Sequence, residues 1–462
     1  MAPRFGTSGL RGLVSELTDG LVADHVRAFV ATCDVGGRVL VGHDLRPSSP
    51  HIASVVALAL RDAGLDSVAL GALSTPALAL AAQGADAGAI MVTGSHIPAD
   101  RNGLKFYTRD GEISKDDEAA IAAALGRPAV ERERGAELSD PDAAARFVAR
   151  YVGAFGSDAL AGRRIGVYAH SAVGSADLAQ TLRALGAEVI VLAPSETFVP
   201  VDTEAVDRAT RETFRGWART HSLDAIVSTD GDSDRPMLTD ETGRVVPGDV
   251  LGQITAQTLG ADTVVTPVSS NTGVMQKGFG RVVATRIGSP HVIAAMAQAG
   301  GRVLGYEANG GTLLGFEAAG PAGPLAPLPT RDSFLPILSV LAAAAGGAVS
   351  ERVAREPARF TAADRLTGVA PDRSAAFLAR LEADADARAA LLSFHGGQEV
   401  GTDRTDGLRV RFDDGAFVHL RPSGNAPEFR LYTEAETPER AASLLSDGLA
   451  RVSDALGSGA GN

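Results

Sequence analysis

Three short segments, far apart in the chain, carry residue types that do phosphoryl chemistry. Thr93-Gly94-Ser95-His96 sets a hydroxyl beside an imidazole. Asp230-Gly231-Asp232-Ser233-Asp234-Arg235 sets three carboxylates at alternate positions, followed by a cation. Arg421-Pro422-Ser423-Gly424-Asn425 is a run of small residues behind a cation. A serine hydroxyl is a weak nucleophile until a base, a metal or prior phosphorylation changes it. Alternate carboxylates on a tight loop can converge on one hard ion, and an all-oxygen set favours magnesium or calcium. Small residues let backbone N–H groups crowd an anion. Together these are the working parts of a phosphoryl-transfer site.

Each segment alone also has a plainer reading. His96 and Lys105 are candidate proton carriers near Ser95, and Asn102-Gly103 reads as a tight turn that folds Lys105 back toward it. The same residues would suit an ordinary solvated turn. The acid loop has carboxylates at the first, third and fifth places of a calcium loop, with Glu241 at the twelfth. Against calcium, Arg235 stands where glycine is wanted, and a strand rather than a helix precedes the loop. Arg235 suits a substrate phosphate oxygen. In Gly305-Tyr306-Glu307-Ala308-Asn309-Gly310-Gly311, Glu307 and Asn309 lie two apart and could face one side of an extended loop, gripping sugar hydroxyls; a glycine-rich turn is the alternative. Arg421 and Arg430 add charge around the small-residue loop, which lacks the Gly-Lys-Ser/Thr of a nucleotide P-loop. Phe5 to Gly12 is glycine-rich with one cation, Arg11.

The elements around these segments repeat. Arg38 to His43, Arg164 to Tyr168 and Asp262 to Thr266 each read as a buried strand, and a loop and a further strand follow. Near-continuous Val/Ile/Leu strands alternating with helices predict sheets covered on both faces. The last segment differs. Residues 407–412 and 416–420 alternate apolar and polar around Asp413-Asp414-Gly415, a hairpin signal. The fold class expected is α/β: three related α/β domains plus a C-terminal α+β domain around a central cleft. The boundaries expected are 1–150 with the serine loop, 151–247 with the acid loop, 248–357 with the sugar loop and 358–462 with the phosphate loop. The Gly/Pro-rich residues 318–329 read as the most loop-like stretch.

The chain has 462 residues, enough for three or four domains at ~100–200 residues each. A formal net charge of -13 argues against broad binding to nucleic acid or an anionic membrane. The one cysteine, Cys33, can form no intrachain disulfide. The longest apolar run, near Leu335 to Ala345, is too short to span a bilayer. No apolar leader opens the sequence. These features point to the cytoplasm. Among 43 basic residues only Lys105, Lys115 and Lys277 are lysine, so a lysine beside a candidate site stands out.

In this order, the motifs resemble those of the α-D-phosphohexomutases, the phosphomannomutase/phosphoglucomutase group, over essentially the whole length. The resemblance implies that Ser95 is carried as phosphoserine. It implies that Asp230, Asp232, Asp234 and a phosphoserine oxygen bind Mg²⁺. Glu307 and Asn309 would read sugar hydroxyls, and Arg421, Ser423, Gly424 and Asn425 would hold the non-reacting phosphate. Arg11, His96 and Lys105 would line the reaction centre, with the acid/base assignment open. Departures are Gly94 and Ile97 in the serine loop, Asn309 and Gly311 where the sugar loop commonly has Ser and His, and Asn425-Ala426 where Thr-Glu is common. The activity implied is interconversion of hexose 6-phosphate and hexose 1-phosphate, for mannose and also glucose. It would run through a hexose 1,6-bisphosphate that doubles as activator, in a monomer or homodimer. Phosphoglucosamine mutase and a metal-dependent sugar phosphatase are the alternatives. Ser8 favours the neutral sugars, because the glucosamine enzymes usually carry Asp there.

Overall fold

Strand Arg38–His43 is buried from Val39 to Gly42, as a central strand covered on both faces must be. Gly88–Val92 and Asp66–Ala72 run parallel on its two sides. The computed structural model describes residues 3–457 apart from 7, 8, 129, 131 and 424–426. Helices Asp19–Thr32 and Ser49–Asp62 pack Val26, Phe29, Val56 and Leu60 against Ile90 and Phe106. Each such side chain withdrawn from water is worth about 1.5–3 kcal/mol. Thr18 caps the first helix through its side chain, accepting from Leu21 N.

Beyond Gly88–Val92 the sheet turns antiparallel. Strand Arg101–Thr108 sets Lys105 opposite Met91, and Leu10–Leu13 sets Arg11 opposite Gly103. This corrects one expectation: Asn102-Gly103 is not a turn but lies inside the strand. Asn102 donates to Ser48 Oγ and Ser49 Oγ, and a Cβ on Gly103 would meet the Leu10 carbonyl oxygen at 2.1 Å. Glycine there permits close strand pairing, and it is sheet register that aims Lys105.

A four-stranded sheet follows, in the order Glu188–Pro194, Arg164–His170, Ala225–Thr229, Pro236–Leu238. The first three strands are parallel and the last is an antiparallel hairpin partner of Ala225–Thr229. Thr263–Pro267 pairs parallel with Val303–Tyr306, which folds back antiparallel onto Thr312–Leu314, and that strand pairs with Leu328–Asp332. Within residues 318–329, two short strands, Ala318–Ala319 and Pro324–Leu325, pair as a small hairpin, so the stretch is more ordered than its composition suggests. Ala322 N and Gly323 N donate to Ala154 O at the end of helix Ala143–Phe155. The apolar run near Leu335 folds as the buried helix Phe334–Ala343. Among the described residues no helix is long and apolar enough to cross a membrane.

The chain divides into two compact units, residues 1–265 with 288–355, and residues 266–287 with 356–462. The strands above belong to the first, except that Thr266 and Pro267 at the end of Thr263–Pro267 fall in the second. The second has an antiparallel sheet in the order Phe360–Thr367, Glu428–Ala435, Phe417–Pro422, Leu408–Phe412, Glu399–Asp403. Helix Pro438–Gly457 buries Ala441, Leu444, Gly448, Val452 and Leu456, a 3.6-residue stripe. Gly415, at φ 80°, makes the hairpin turn foreseen between residues 412 and 416.

Candidate active site

The acid loop is the turn of a hairpin. Thr229 and Pro236 are register partners, Asp230 N donates to Arg235 O at 3.1 Å, and Ser233 takes φ 59°. Asp230, Asp232 and Asp234 are fully buried, with one ligand atom from each lying within 4.8 Å of the others. Three buried like charges need partners. Lys105 Nζ donates to Asp232 Oδ2 and Asp234 Oδ2, both at 2.5 Å. Arg331 Nη2 lies 2.8 Å from Asp234 Oδ2. Helix Thr75–Ala85 begins here: Thr75 N donates to Asp232 O at 2.9 Å and its hydroxyl to Asp232 Oδ2 at 2.5 Å.

The serine loop follows strand Gly88–Val92. Ser95 has φ 53°, a left-handed conformation that costs a non-glycine residue about 1–3 kcal/mol and needs outside support. Arg46 supplies it. Its Nη2 donates to Ser95 O at 2.9 Å and Ile97 O at 2.6 Å, and its Nη1 to Pro98 O at 2.7 Å and Arg101 O at 2.8 Å. Asp44 lies 3.2 Å from Arg46 Nε and accepts from Thr93 Oγ1, and Thr93 Oγ1 accepts from Ser95 N at 2.8 Å. The departure at Gly94 has its reason here: a Cβ would come 2.6 Å from Arg46 Cζ.

Ser95 Oγ donates to Asp230 Oδ2 at 2.6 Å and lies 3.3 Å from His96 Nδ1. The structure thus brings Ser95, His96, Lys105, Asp230, Asp232, Asp234 and Arg235 to one place. Burial and the neighbouring carboxylates of Asp232 and Asp234 push Asp230 well above the usual carboxylate range. Burial also opposes ionisation of Asp234, but Arg331, Lys105 and Arg235 outweigh it and hold Asp234 below that range. The positive charge of Arg235, then burial and Arg11, keep His96 neutral. Burial, Arg235 and Arg331 lower Arg11 to about 10.

The donor set fits a hard divalent cation. Asp232 Oδ1 and Asp234 Oδ1 are buried and accept no hydrogen bond, which leaves two anionic oxygens of the cluster without a donor. The calcium-loop alternative finds no support, because Glu241 accepts from Ser350 N at 3.2 Å and from its hydroxyl, anchoring helix Val349–Val353.

The sugar loop is a tight turn rather than an extended segment. Gly310 N donates to Glu307 O at 2.9 Å, closing the hairpin between Val303–Tyr306 and Thr312–Leu314. Glu307 and Asn309 are both buried; Asn309 Oδ1 caps Gly311 N at 2.9 Å, and Glu307 Oε2 lies 3.3 Å from Arg331 Nη1. In the second unit, Arg421 and Arg430 are register partners on adjacent strands. Two cations set opposite repel, and each is balanced, Arg421 by Asp406 at 2.9 Å and Arg430 by Glu428 at 3.2 Å. Ser423 N donates to Glu428 O at 2.9 Å. Gly424, Asn425 and Ser8 lie outside the described residues.

Sequence reading missed Arg46, Thr75 and Arg331. Arg46 and Thr75 lie just past the ends of strands Arg38–His43 and Asp66–Ala72, where open α/β sheets present functional groups; Arg331 sits near the end of an antiparallel strand and had no such signal.

Comparison with known proteins agrees with the geometry. The family described as "Phosphoglucomutase/phosphomannomutase" matches through its alpha/beta/alpha domain I at residues 2–129, its alpha/beta/alpha domain III at 247–360 and its C-terminal domain at 369–450. A phosphomannomutase of Sinorhizobium fredii (strain NBRC 101917 / NGR234) is 44% identical, covering 99% of this chain and 100% of its own. One of Salmonella muenchen is 41% identical over 98% of this chain and 96% of its own. The crystal structure of a phosphoglucomutase/phosphomannomutase family protein from Burkholderia thailandensis has the same fold, with TM-score 0.77 at 21% identity over 97% of each chain. By sequence, fold and site together, the chain belongs to the α-D-phosphohexomutases, the phosphoglucomutase/phosphomannomutase family, and is a phosphohexose mutase of the isomerase class.

Proposed function

We propose that this enzyme interconverts mannose 6-phosphate and mannose 1-phosphate, and accepts the glucose phosphates, through a phosphoserine at Ser95 and a hexose 1,6-bisphosphate. The contact of Ser95 Oγ with Asp230 inside the buried acid cluster carries this reading. Relatives named phosphomannomutase at 44% and 41% identity support the choice of mannose.

The bonds balance as follows. The P–O bond to Ser95 Oγ breaks as a P–O bond to the free sugar hydroxyl forms. The other phosphate of the bisphosphate then returns to Ser95 Oγ, and the isomeric monophosphate leaves. In each transfer the proton of the attacking hydroxyl ends on the leaving oxygen, serine's in the first and the sugar's in the second; His96 Nδ1 lies 3.3 Å from the serine oxygen beside that path, and the charge of Arg235, burial and Arg11 hold it neutral, as a hydrogen-bonding partner. Arg11, Lys105 and Arg235 offset the charge of the transferring group. Asp230, Asp232, Asp234 and a phosphoserine oxygen would hold Mg²⁺, which supplies further positive charge against that group. Glu307 and Asn309 read sugar hydroxyls. Arg421, Ser423 and Arg430, with Gly424 and Asn425, hold a substrate phosphate.

Intact-mass measurement tests the covalent step. A mass increment of one phosphate is expected, absent in Ser95→Ala, whose mutase turnover falls by at least about 10³-fold. A coupled assay with mannose, glucose and glucosamine 1-phosphates, primed with hexose bisphosphate, reads the sugar. Release of inorganic phosphate without isomer formation would falsify the proposal in favour of a phosphatase, and preference for the glucosamine phosphate would replace its substrate.

A further inference from the structure

Each aspartate of the acid loop has one oxygen filled and one left over. Asp230 Oδ1 accepts from Asp234 N and Arg235 N, both at 3.2 Å. Asp232 Oδ2 accepts from Thr75 Oγ1 and Lys105 Nζ, both at 2.5 Å. Asp234 Oδ2 accepts from Lys105 Nζ at 2.5 Å and lies 2.8 Å from Arg331 Nη2. A carboxylate oxygen has about two lone-pair sites, so two donors use it up. The remaining oxygens are Asp230 Oδ2, which accepts from Ser95 Oγ, and Asp232 Oδ1 and Asp234 Oδ1, which are buried and accept nothing. Arg235 Nε stands 4.0 Å from Asp234 Oδ1, beyond hydrogen-bond reach. The three carboxylates thus offer one oxygen apiece.

That count separates two ions of the same oxygen chemistry. Calcium takes about six to eight oxygens at about 2.3–2.6 Å and readily uses both oxygens of one carboxylate. Magnesium demands a near-octahedral shell at about 2.0–2.1 Å and keeps several waters in it. Carboxylates that are each tied by one oxygen suit the smaller ion. The donors on Asp230 are backbone, and Lys105 and Arg331 are cations that also neutralise the cluster. Thr75 is neutral, so its hydroxyl fills an acceptor without changing the charge. It is fully buried at the start of helix Thr75–Ala85, and its own N–H, bonded to Asp232 O at 2.9 Å, holds the hydroxyl in place.

We propose that Thr75 is a positioning residue that keeps Asp232 a one-oxygen ligand and so sets the site's preference for magnesium over calcium. It acts through Asp232. Without the hydroxyl, Asp232 Oδ2 keeps Lys105 but regains a lone pair, and the carboxylate can turn both oxygens to one ion. The larger ion gains from that change and the smaller does not. The proposal rests on the reading of the acid loop as a metal site and adds which ion that site selects and through which side chain.

Calorimetry on the full-length enzyme, cleared of metal with a chelator, tests this. Magnesium and calcium are titrated separately into wild type, Thr75→Val and Thr75→Ser, with the phosphate on Ser95 matched by intact mass. Wild type is expected to bind magnesium the more tightly. Thr75→Val keeps the shape and loses the hydroxyl. It is expected to narrow the magnesium-to-calcium affinity ratio about tenfold, the size of effect that partners of metal ligands have. Thr75→Ser retains a hydroxyl and is expected to keep the wild-type ratio. If both affinities fall together in Thr75→Val at an unchanged ratio, the role of Thr75 is merely structural and the proposal is overturned. A wild type that binds calcium as tightly as magnesium overturns it too. Should Thr75→Val not fold, Thr75→Ala takes its place. A wild type that binds neither ion overturns the metal reading itself, and the proposal with it.

Discussion

Gly231 lies directly against the carbonyl of Ser95: a Cβ on this glycine would come 2.7 Å from Ser95 O. The acid loop and the serine loop meet backbone to backbone at this point. Gly231 is not one of the positive-φ residues, so the requirement is for space. Residues from two different sheets are held in contact by the lack of one methyl group.

Gly231→Ala must therefore push the two loops apart by some tenths of an ångström. The Ser95–Asp230 contact of 2.6 Å absorbs the shift. Turnover is expected to fall about 10²-fold, as it does when reacting groups are misplaced by a fraction of an ångström to one ångström. Thermal melting beside steady-state kinetics checks this: a large loss of kcat with a small change in Tm is the expected outcome, and unchanged kcat counts against it.

Magnesium should stabilise the folded protein. Asp232 Oδ1 and Asp234 Oδ1 are buried without a donor, and the burial that raises Asp230 is relieved by a nearby cation. A ligand bound only by the folded state adds about 2.7 kcal/mol at a hundred times its Kd. Melting with magnesium, and with a chelator, reads this directly. Asp232→Asn is expected to abolish the magnesium-dependent rise in Tm, and turnover is expected to stop on chelation and return on adding magnesium.

Arg46 is the scaffold of the serine loop, and its loss is expected to damage stability as well as activity. Its guanidinium meets four carbonyl oxygens and Asp44, and stacks over the Phe198 ring at 4.0 Å. Arg46→Met leaves Asp44 buried without its charged partner, holding only the hydroxyls of Ser49 and Thr93 and the backbone N–H of residue 46, which costs about 3 kcal/mol. Urea unfolding should show the lowered midpoint. Intact mass should show less phosphate on Ser95, since the strained φ loses its support.

Stability should fall as the medium becomes acidic, and His419 contributes measurably. Burial lowers its imidazole to about 4 despite the bond to Asp406 O at 2.6 Å. Its Nε2–H donates to that carbonyl, and Nδ1 is buried with no partner, so a second proton would point at nothing. Below about pH 6.5 the unfolded chain binds a proton that the folded ring refuses until about 4. The unfolded state is then favoured progressively as pH falls through that window, by about 3 kcal/mol at pH 4. His170, also lowered to about 4 by burial, acts in the same direction. Denaturant titrations at several pH values should show a flatter decline for His419→Gln than for wild type.

Ser95, the three aspartates, the strands that lead into their loops and the alternating hairpin of residues 407–420 were legible in the sequence. These features are local: an apolar run makes a buried strand, and a polar loop of unusual composition follows it. Lys105 was named for the wrong reason, since antiparallel register and not an Asn-Gly turn aims it at Asp232. Arg46, Thr75 and Arg331 escaped notice because their meaning lies in partners 49, 157 and 24 positions away. A single arginine among 40 looks like any other until folding removes its water and leaves it only carbonyls or carboxylates to bind. The sequence by itself determined which atoms could react. The tertiary structure decided which cations neutralise them and which glycines must stay bare, because both depend on distances between segments that share no local pattern.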